Sequence, residues 1–479
     1  MKKKKSIKRI IKHKLFRKRN ILALLNLLLS IVLIVLVSIL DFLTLKYNLL
    51  LIIGLLLINI VSFLLINVHE KIYLKIIGWF IISITSILAV IGIYYLNTTN
   101  NFMNDSFSKK DLYTKNSYLV ISKQGLKEKA VKGTVAVYKE TLNLNKAYKK
   151  LTKKYSLEKK EYLDLGNLFD CLNSGSEKYA LIEKSSYQIV FNTNQSLKEE
   201  DYQIIYEFDV FTKNKTINTE NSNKFNIYIG GTDFAGLMDF NMLVSVNTKT
   251  HQILLTSIPR DYYIEVVGKD GRYDKLSFMS AYGPETNKDS LEKLFNTKID
   301  YSIKLNTTSL VEVVDYLGGI DFCSEYEYTT THALVKNYND KGPKLKVSKG
   351  CQHLNGIETL TVARERNAFP GRDRVRQENC QKILLEIIKK LVSTDSILHY
   401  NETLQTMSSL YETNIPKKII TNAVKDILKN GNNWEIGTQA IDGVDGKDKV
   451  HLSNMIDWVM YPDQESVLNA SKKIEDMLK

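Results

Sequence analysis

Eight charged side chains stand at the ends of apolar segments between Phe225 and Lys382: Asp233, Asp239, Arg260, Lys275, Arg364, Arg366, Arg374 and Arg376. Taken singly, each reads as solvated surface. Taken together they need an anionic partner, because a group of guanidinium ions cannot neutralise itself. Arginine donates two parallel hydrogen bonds from a planar fork, which is the geometry phosphate accepts. Asp233 closes the strand-like FNIYIGGTD and Asp239 precedes the next strand. One or two carboxylates beside phosphate oxygens make the donor set that Mg2+ takes. Arginines with such an acid pair describe a pyrophosphate site. No Walker loop and no kinase glycine loop occurs, so a nucleotide is not the expected substrate. CxxC and HExxH spacings are missing and the 7 histidines are scattered, which argues against zinc.

The elements that would position these groups alternate between strand and helix. NMLVSVNTKTHQILLTSIPRD predicts a two-strand hairpin that turns at Asn247–Thr250 and ends on Arg260. TSLVEVVDYLGG predicts an amphipathic helix stopped by a glycine pair, and GRDRVRQENCQKILLEIIKKL runs into a long helix. Arg364 and Arg366, in ETLTVARER, share a parity; in an extended segment they would point to one face. The expected fold class is α/β, a mixed β-sheet sandwiched by helices. Cys323 and Cys351, 28 residues apart, each border a strand-like stretch. They are candidates for a disulfide outside the membrane, the alternative being two small buried thiols.

The basic balance lies elsewhere. Lys+Arg 66 against Asp+Glu 52 gives +14, but the first twenty residues hold eleven basic side chains and no acid, leaving 55 − 52 = +3 for the rest. A terminal tail next to apolar runs is a membrane address and not a nucleic-acid face. Ile21–Leu40, Leu49–Ile66 and Ile76–Leu96 are each near the roughly twenty residues that span a bilayer. The tail, with Lys71 and Lys75 in the second loop, sets the cytoplasmic side, so three crossings leave Asn97 onward outside. A re-entrant middle run would reverse that placement. Beyond the spans, strand-like SYLVIS, GTVAVY and YQIVF surround helical LNKAYKKLTKKY, and a polar linker at 218–224 leads to denser strands. The last eighty-odd residues read as helical.

In order, GTD, DFNMLVSVNTKTHQILLTSIPRD, DKL, YLGGID, HLNG, ARER and DRVRQEN resemble the LytR-CpsA-Psr family of Gram-positive cell-envelope proteins, over about 222–393. The spans and exterior domain look like its capsule-associated branch. The resemblance implies a cytoplasmic tail over 1–20, three transmembrane helices over 21–96, an extracellular accessory α/β domain over 97–221, a catalytic domain over 222–393 and a C-terminal helical extension over 394–479. It implies transfer of a glycopolymer (capsule, teichoic acid or similar) from a polyprenyl pyrophosphate carrier, buried in an apolar pocket, to peptidoglycan as a phosphodiester. Asp233 and Asp239 correspond to the magnesium ligands, and Arg260, Arg364, Arg366 and Arg376 to the catalytic, pyrophosphate-contacting arginines. Lys275, Asp373 and Arg374 fall at supporting substrate-binding positions.

Two departures stand out. Leu237-Met238-Asp239 lacks the arginine that commonly precedes the second acid, and Cys380 occupies the place of a pyrophosphate-contacting glutamine. They keep two alternatives open, a non-catalytic scaffold or regulator that binds lipid-linked glycan and a polyprenyl-pyrophosphate hydrolase.

Overall fold

The computed structural model describes residues 20–67, 71–107, 113–126, 132–193, 196–213, 223–233, 237–269, 271–283, 285–334, 342–371, 373–391, 411–430 and 434–479. Three helices open the described chain: α1 (Ile21–Leu40), α2 (Leu45–Asn67) and α3 (Ile72–Phe107). Each is long and apolar enough to cross a membrane, and α3 extends past the expected third span at both ends. Polar side chains tie them together. Asn26 donates to Asn59 at 3.0 Å, Asn59 donates to Ser30 at 3.0 Å, and Ser86 donates to Asn26 at 2.8 Å. Away from water these groups have few other partners, so the network sets how the three helices face one another.

A second compact unit holds two sheets. The first is built from β1 (Tyr113–Lys123), β2 (Gly133–Tyr138), β3 (Leu157–Tyr162), β4 (Tyr179–Glu183) and β5 (Tyr202–Lys213) in the order β3-β2-β4-β1-β5. Helices α4 (Leu144–Leu151), α5 (Leu165–Ser174) and α6 (Lys184–Thr193) make the crossovers and flank it. The expected strand YQIVF is instead part of α6. Tyr187, Ile189 and Val190 are all buried there, and a short apolar run cannot be assigned to strand or helix by periodicity alone. The expected linker at 218–224 lies mostly outside the described residues.

The second sheet carries β6 (Lys224–Thr232), β7 (Met238–Asn247) and β8 (Gln252–Ser257) as an antiparallel meander. After the short hairpin of β9 (Tyr263–Glu265) and β10 (Tyr273–Lys275) and helix α7 (Thr286–Phe295), β11 (Tyr301–Asn306) joins β6 in parallel. Helix α8 (Thr307–Tyr316) leads into β12 (Ile320–Ser324), β13 (Tyr328–Ala333), β14 (Lys344–Val347) and β15 (Gly350–Leu354), followed by α9 (Gly356–Arg364) and α10 (Asp373–Leu391). β16 (Tyr411–Thr413) and β17 (Glu435–Ala440) complete the order β16-β11-β6-β7-β8-β17, a mixed sheet as expected. Helix α11 (Lys417–Asn430) belongs to the unit of the apolar helices, where Lys425 pairs with Asp41 at 2.6 Å. β18 (Gly443–Val450) and β19 (Met455–Pro462) form a hairpin, and α12 (Gln464–Leu478) ends the chain. Four strands therefore stand where a purely helical C-terminal region was expected. β17 pairs with β8, a contact no local pattern announces.

Helices cover both faces of the second sheet. On one side Val313, Val314, Phe322, Val362, Ile383 and Ile387 gather α8, α9 and α10 into one core. On the other, Tyr228, Leu243, Phe278, Phe295 and Ile474 share a continuous core with Leu119, Ile182 and Phe169 of the first sheet. Cys323 and Cys351 face each other across β12 and β15 and are disulfide-bonded, the first of the two alternatives. The glycine pair that stops α8 has positive φ at both residues, and a Cβ on Gly319 would lie 2.2 Å from His353 Nε2. Only glycine fits that close approach.

Candidate active site

Helix α9 corrects one expectation. Arg364 and Arg366 do not lie in an extended segment; Arg364 is the last residue of α9 and Arg366 follows its C-cap, Glu365. The helix forms because Asn355 and Glu358 make a reciprocal capping box, each side chain bonding the other's backbone N–H. Glu365 then holds the exit turn. It is fully buried and accepts from the Thr331 backbone and hydroxyl, from Asn367 N–H at 2.8 Å and from Ala368 N–H at 3.0 Å. Burial works against its ionised form, but these donors prevail and hold its carboxyl below the usual range. The pattern ARER contains this acid, yet nothing in the spacing marks it as the anchor of the turn.

The acids come from the β6–β7 connection. A Cβ on Gly230 would lie 2.7 Å from Met238 Sδ and one on Gly231 would lie 3.0 Å from Phe240 Cβ, so the glycine pair lets the two strands close tightly there. Asp233 is buried, and its Oδ1 accepts from Leu237 N–H at 2.8 Å. Asp239 accepts from Arg260 through its carboxylate and from Arg376 through its main-chain carbonyl at 2.9 Å. Both acids, with Arg364 and Arg376, line one cavity. Most of the remaining lining is apolar: Phe240 and Leu305 on the sheet, Leu310 on α8, Leu360 on α9, and Ile383 and Leu384 on α10. It measures about 130 Å³.

The cations are arranged in a chain of pairs. Arg376, on the first turns of α10, donates to Asp373 at 2.7 Å, and Gln377 donates to the other Asp373 oxygen at 2.9 Å. Asp373 is buried, which opposes ionisation, yet the Arg376 guanidinium wins and holds its carboxyl at about 2. Reciprocally, burial opposes the Arg376 charge and Asp373 keeps it protonated. Arg260 lies 3.6 Å from Asp261, and Lys275 lies 3.6 Å from Asp261 and 2.6 Å from Asp457. Arg366 differs in kind. Burial first, then the charge of Arg260, lower its proton affinity, Asp261 opposes them, and Arg376 adds to them. A cation held among cations is stabilised by an incoming anion.

Arg374 turns to the C-terminal hairpin, donating to Asp442 at 2.6 Å and to the Gly443 carbonyl at 3.0 Å. Cys380 lines the apolar cavity, buried, its thiol donating to the Ala363 carbonyl at 3.4 Å. Burial pushes that thiol up to about 11, so it sits in the wall as a neutral group and not as a nucleophile. Sequence reasoning passed over Asp457, Asp442 and Asp261, whose roles depend on which strands the fold brings beside Lys275 and Arg374. Among the described residues no group of three or more His, Cys, Asp or Glu side chains is placed to hold a metal. Asp233 and Asp239 are two carboxylates that line the cavity.

The chain is similar to several known proteins. The crystal structure of TagU from Bacillus subtilis aligns at 25% identity over 54% of this chain and 98% of its own, with a TM-score of 0.41. A TagT structure bound to LI-WTA aligns at 22% identity over 54% and 92%, with a TM-score of 0.42. In sequence, a protein of Bacillus cereus named polyisoprenyl-teichoic acid–peptidoglycan teichoic acid transferase TagU is 30% identical over 219 residues, 44% of this chain and 68% of that protein. An uncharacterized protein of Staphylococcus aureus is 34% identical over 208 residues, 43% and 49% of the two chains. The LytR_cpsA_psr family model matches residues 184–475, well over half of the chain, and the chain belongs to that family.

Proposed function

We propose that this protein transfers a glycopolymer from a polyprenyl pyrophosphate carrier to peptidoglycan, leaving a phosphodiester link. The observation that carries this reading is a single cavity whose largely apolar lining also takes in Asp233, Asp239, Arg364 and Arg376. A polyprenyl pyrophosphate has the same two-part chemistry. The transferase named in the related Bacillus cereus protein supports the reaction class.

An acceptor hydroxyl attacks the phosphorus that carries the glycan, and the bond to the lipid phosphate breaks. Such a step depends on positioning and on stabilising charge as it shifts to the leaving group. Arg260, Arg364, Arg366 and Arg376 supply fixed donors, Glu365 holds the turn that presents two of them, and Lys275 extends the cationic edge. Magnesium fits Asp233 and Asp239, and when bound it would share the negative charge of the pyrophosphate. The free space, about 130 Å³, is below the roughly 300 Å³ common for small-molecule sites. A full polyprenyl tail therefore needs more room than this free space, and it gains about 0.8 kcal/mol for each CH₂ it buries.

The Lys and Arg pattern around the three apolar helices supports a cytoplasmic tail with the catalytic portion outside. Mass spectrometry of lipid extracted from the purified protein tests the reading. Polyprenyl phosphate or pyrophosphate should co-purify, and extracts holding only bulk phospholipid would refute it.

A further inference from the structure

A second concavity lies outside the cavity described above. It measures about 500 Å³ and is walled by three tyrosines, Tyr263 on β9, Tyr273 on β10 and Tyr461 on β19. Their rings stand close: Tyr263 lies 5.8 Å from Tyr273 and 5.9 Å from Tyr461, the latter pair edge to face. Two are fixed by their hydroxyls, Tyr263 donating to the Lys449 carbonyl and Tyr461 to Asp448, each at 2.9 Å. Tyr273 is 46% exposed and Tyr461 37%, so both rings present their surfaces to solvent. The charged groups on the wall cancel, Lys293 pairing with Glu265 at 2.5 Å, and Ser290 and Gln464 add neutral hydrogen-bonding groups.

We infer that this groove binds an uncharged saccharide chain, and that the chain is the sugar backbone of the acceptor. Rigid aromatic walls offer flat apolar faces to the C–H surfaces of sugar rings, while neutral polar groups and a closed ion pair meet hydroxyls and amides. A polyanion would find no uncompensated cation among these walls; it finds them at the arginine site. Ion pairs link the groove's strand to that site: Lys275 lies 3.6 Å from Asp261, which lies 3.6 Å from Arg260, the partner of Asp239. Tyr273 and Lys275 are two residues apart on β10, about 7 Å along a strand and on one face. Lys275 in turn is paired with Asp457, on the same strand as Tyr461. A glycan lying against the tyrosines would thus have a sugar near the cationic edge where the transferred phosphate is held. The assignment to the acceptor rests on the proposed transferase reading; the binding of a neutral sugar chain does not.

Calorimetry on the detergent-solubilised full chain with chitotetraose, an uncharged chain of four N-acetylated sugars, tests this. Binding is expected, with Tyr273→Ala weakening it about tenfold and Tyr273→Trp retaining it. Donor-lipid binding should be equal in all three proteins, and the acceptor KM should rise in Tyr273→Ala with little change in kcat. No binding by the parent, equal binding by Tyr273→Ala, or Tyr273-dependent binding of poly(glycerol phosphate) in place of chitotetraose would overturn the inference. If the parent binds chitotetraose through Tyr273 but releases no polyprenyl phosphate from donor lipid, the groove stands and the transferase reading fails. If release occurs and the acceptor KM ignores Tyr273, the transferase reading stands and the assignment of the groove to the acceptor fails.

Discussion

Arg366 is the residue whose environment makes least sense without a ligand. Partial burial most of all, then Arg260 and Arg376, disfavour its charge, while Asp261 and Asp373 favour it. Arg366→Gln should therefore remove a charge that burial disfavours and raise the melting temperature of the ligand-free protein slightly. The same change should cost donor-lipid turnover at least tenfold, since a hydrogen bond to a charged group contributes about 1.5–3 kcal/mol. Thermal melting and product release on the same preparation check both signs; a variant that is less stable and equally active contradicts the assignment. Arg376 is a different kind of arginine, because it is locked to buried Asp373 and supports α10 as well as the site. The motifs ARER and DRVR exposed the arginines to sequence reading but could not show that Arg376 is locked to an acid and Arg366 is not.

At the scale of elements, strands and helices with strong local signals were legible, and those set by distant partners were not. The Asn247–Thr250 turn between β7 and β8, the glycine stop of α8 and the run of α10 follow from residues within a few positions of each other. Helix α9 was misread as extended because parity in ARER was weighed above the capping signal Asn355-x-x-Glu358 just ahead of it. β17 and β18–β19 were missed because their pairing depends on β8 and on each other. The first sheet carries its own testable feature. Glu183, at the end of β4, is buried against Asn116, whose amide donates to it at 3.0 Å, while Glu183 Oε2 has no hydrogen-bond partner among the described residues. Burial pushes its carboxyl from 4.5 up to about 7, with Asn116 opposing. The folded state then holds a proton that the unfolded chain releases near 4.5. This contribution is full below about 4.5 and lost as pH rises through about 7, on the order of 3 kcal/mol in all. Melting temperature should fall between pH 5 and pH 8, and Glu183→Gln should flatten the dependence; an unchanged slope in that variant would locate the titration elsewhere.

Across the whole molecule, an apolar three-helix unit precedes a two-sheet unit that carries the cavity, the arginines and the tyrosine groove. The Cys323–Cys351 bond, in that second unit, closes a loop of 28 residues. Intact mass should rise by two hydrogens on reduction of the unfolded protein, and replacing both cysteines by serine should cost about 2–4 kcal/mol of stability. An unchanged mass would show the pair to be free thiols. The central claim concerns the bond that is made. Purified full-length protein, given polyprenyl-pyrophosphate-linked glycan, magnesium and peptidoglycan fragments, should yield free polyprenyl phosphate and a glycan–phosphate–peptidoglycan product in equal amounts by mass spectrometry. Lipid phosphate released with glycan phosphate free in solution would mark a hydrolase, and intact donor after prolonged incubation would mark a binding protein; either contradicts the account.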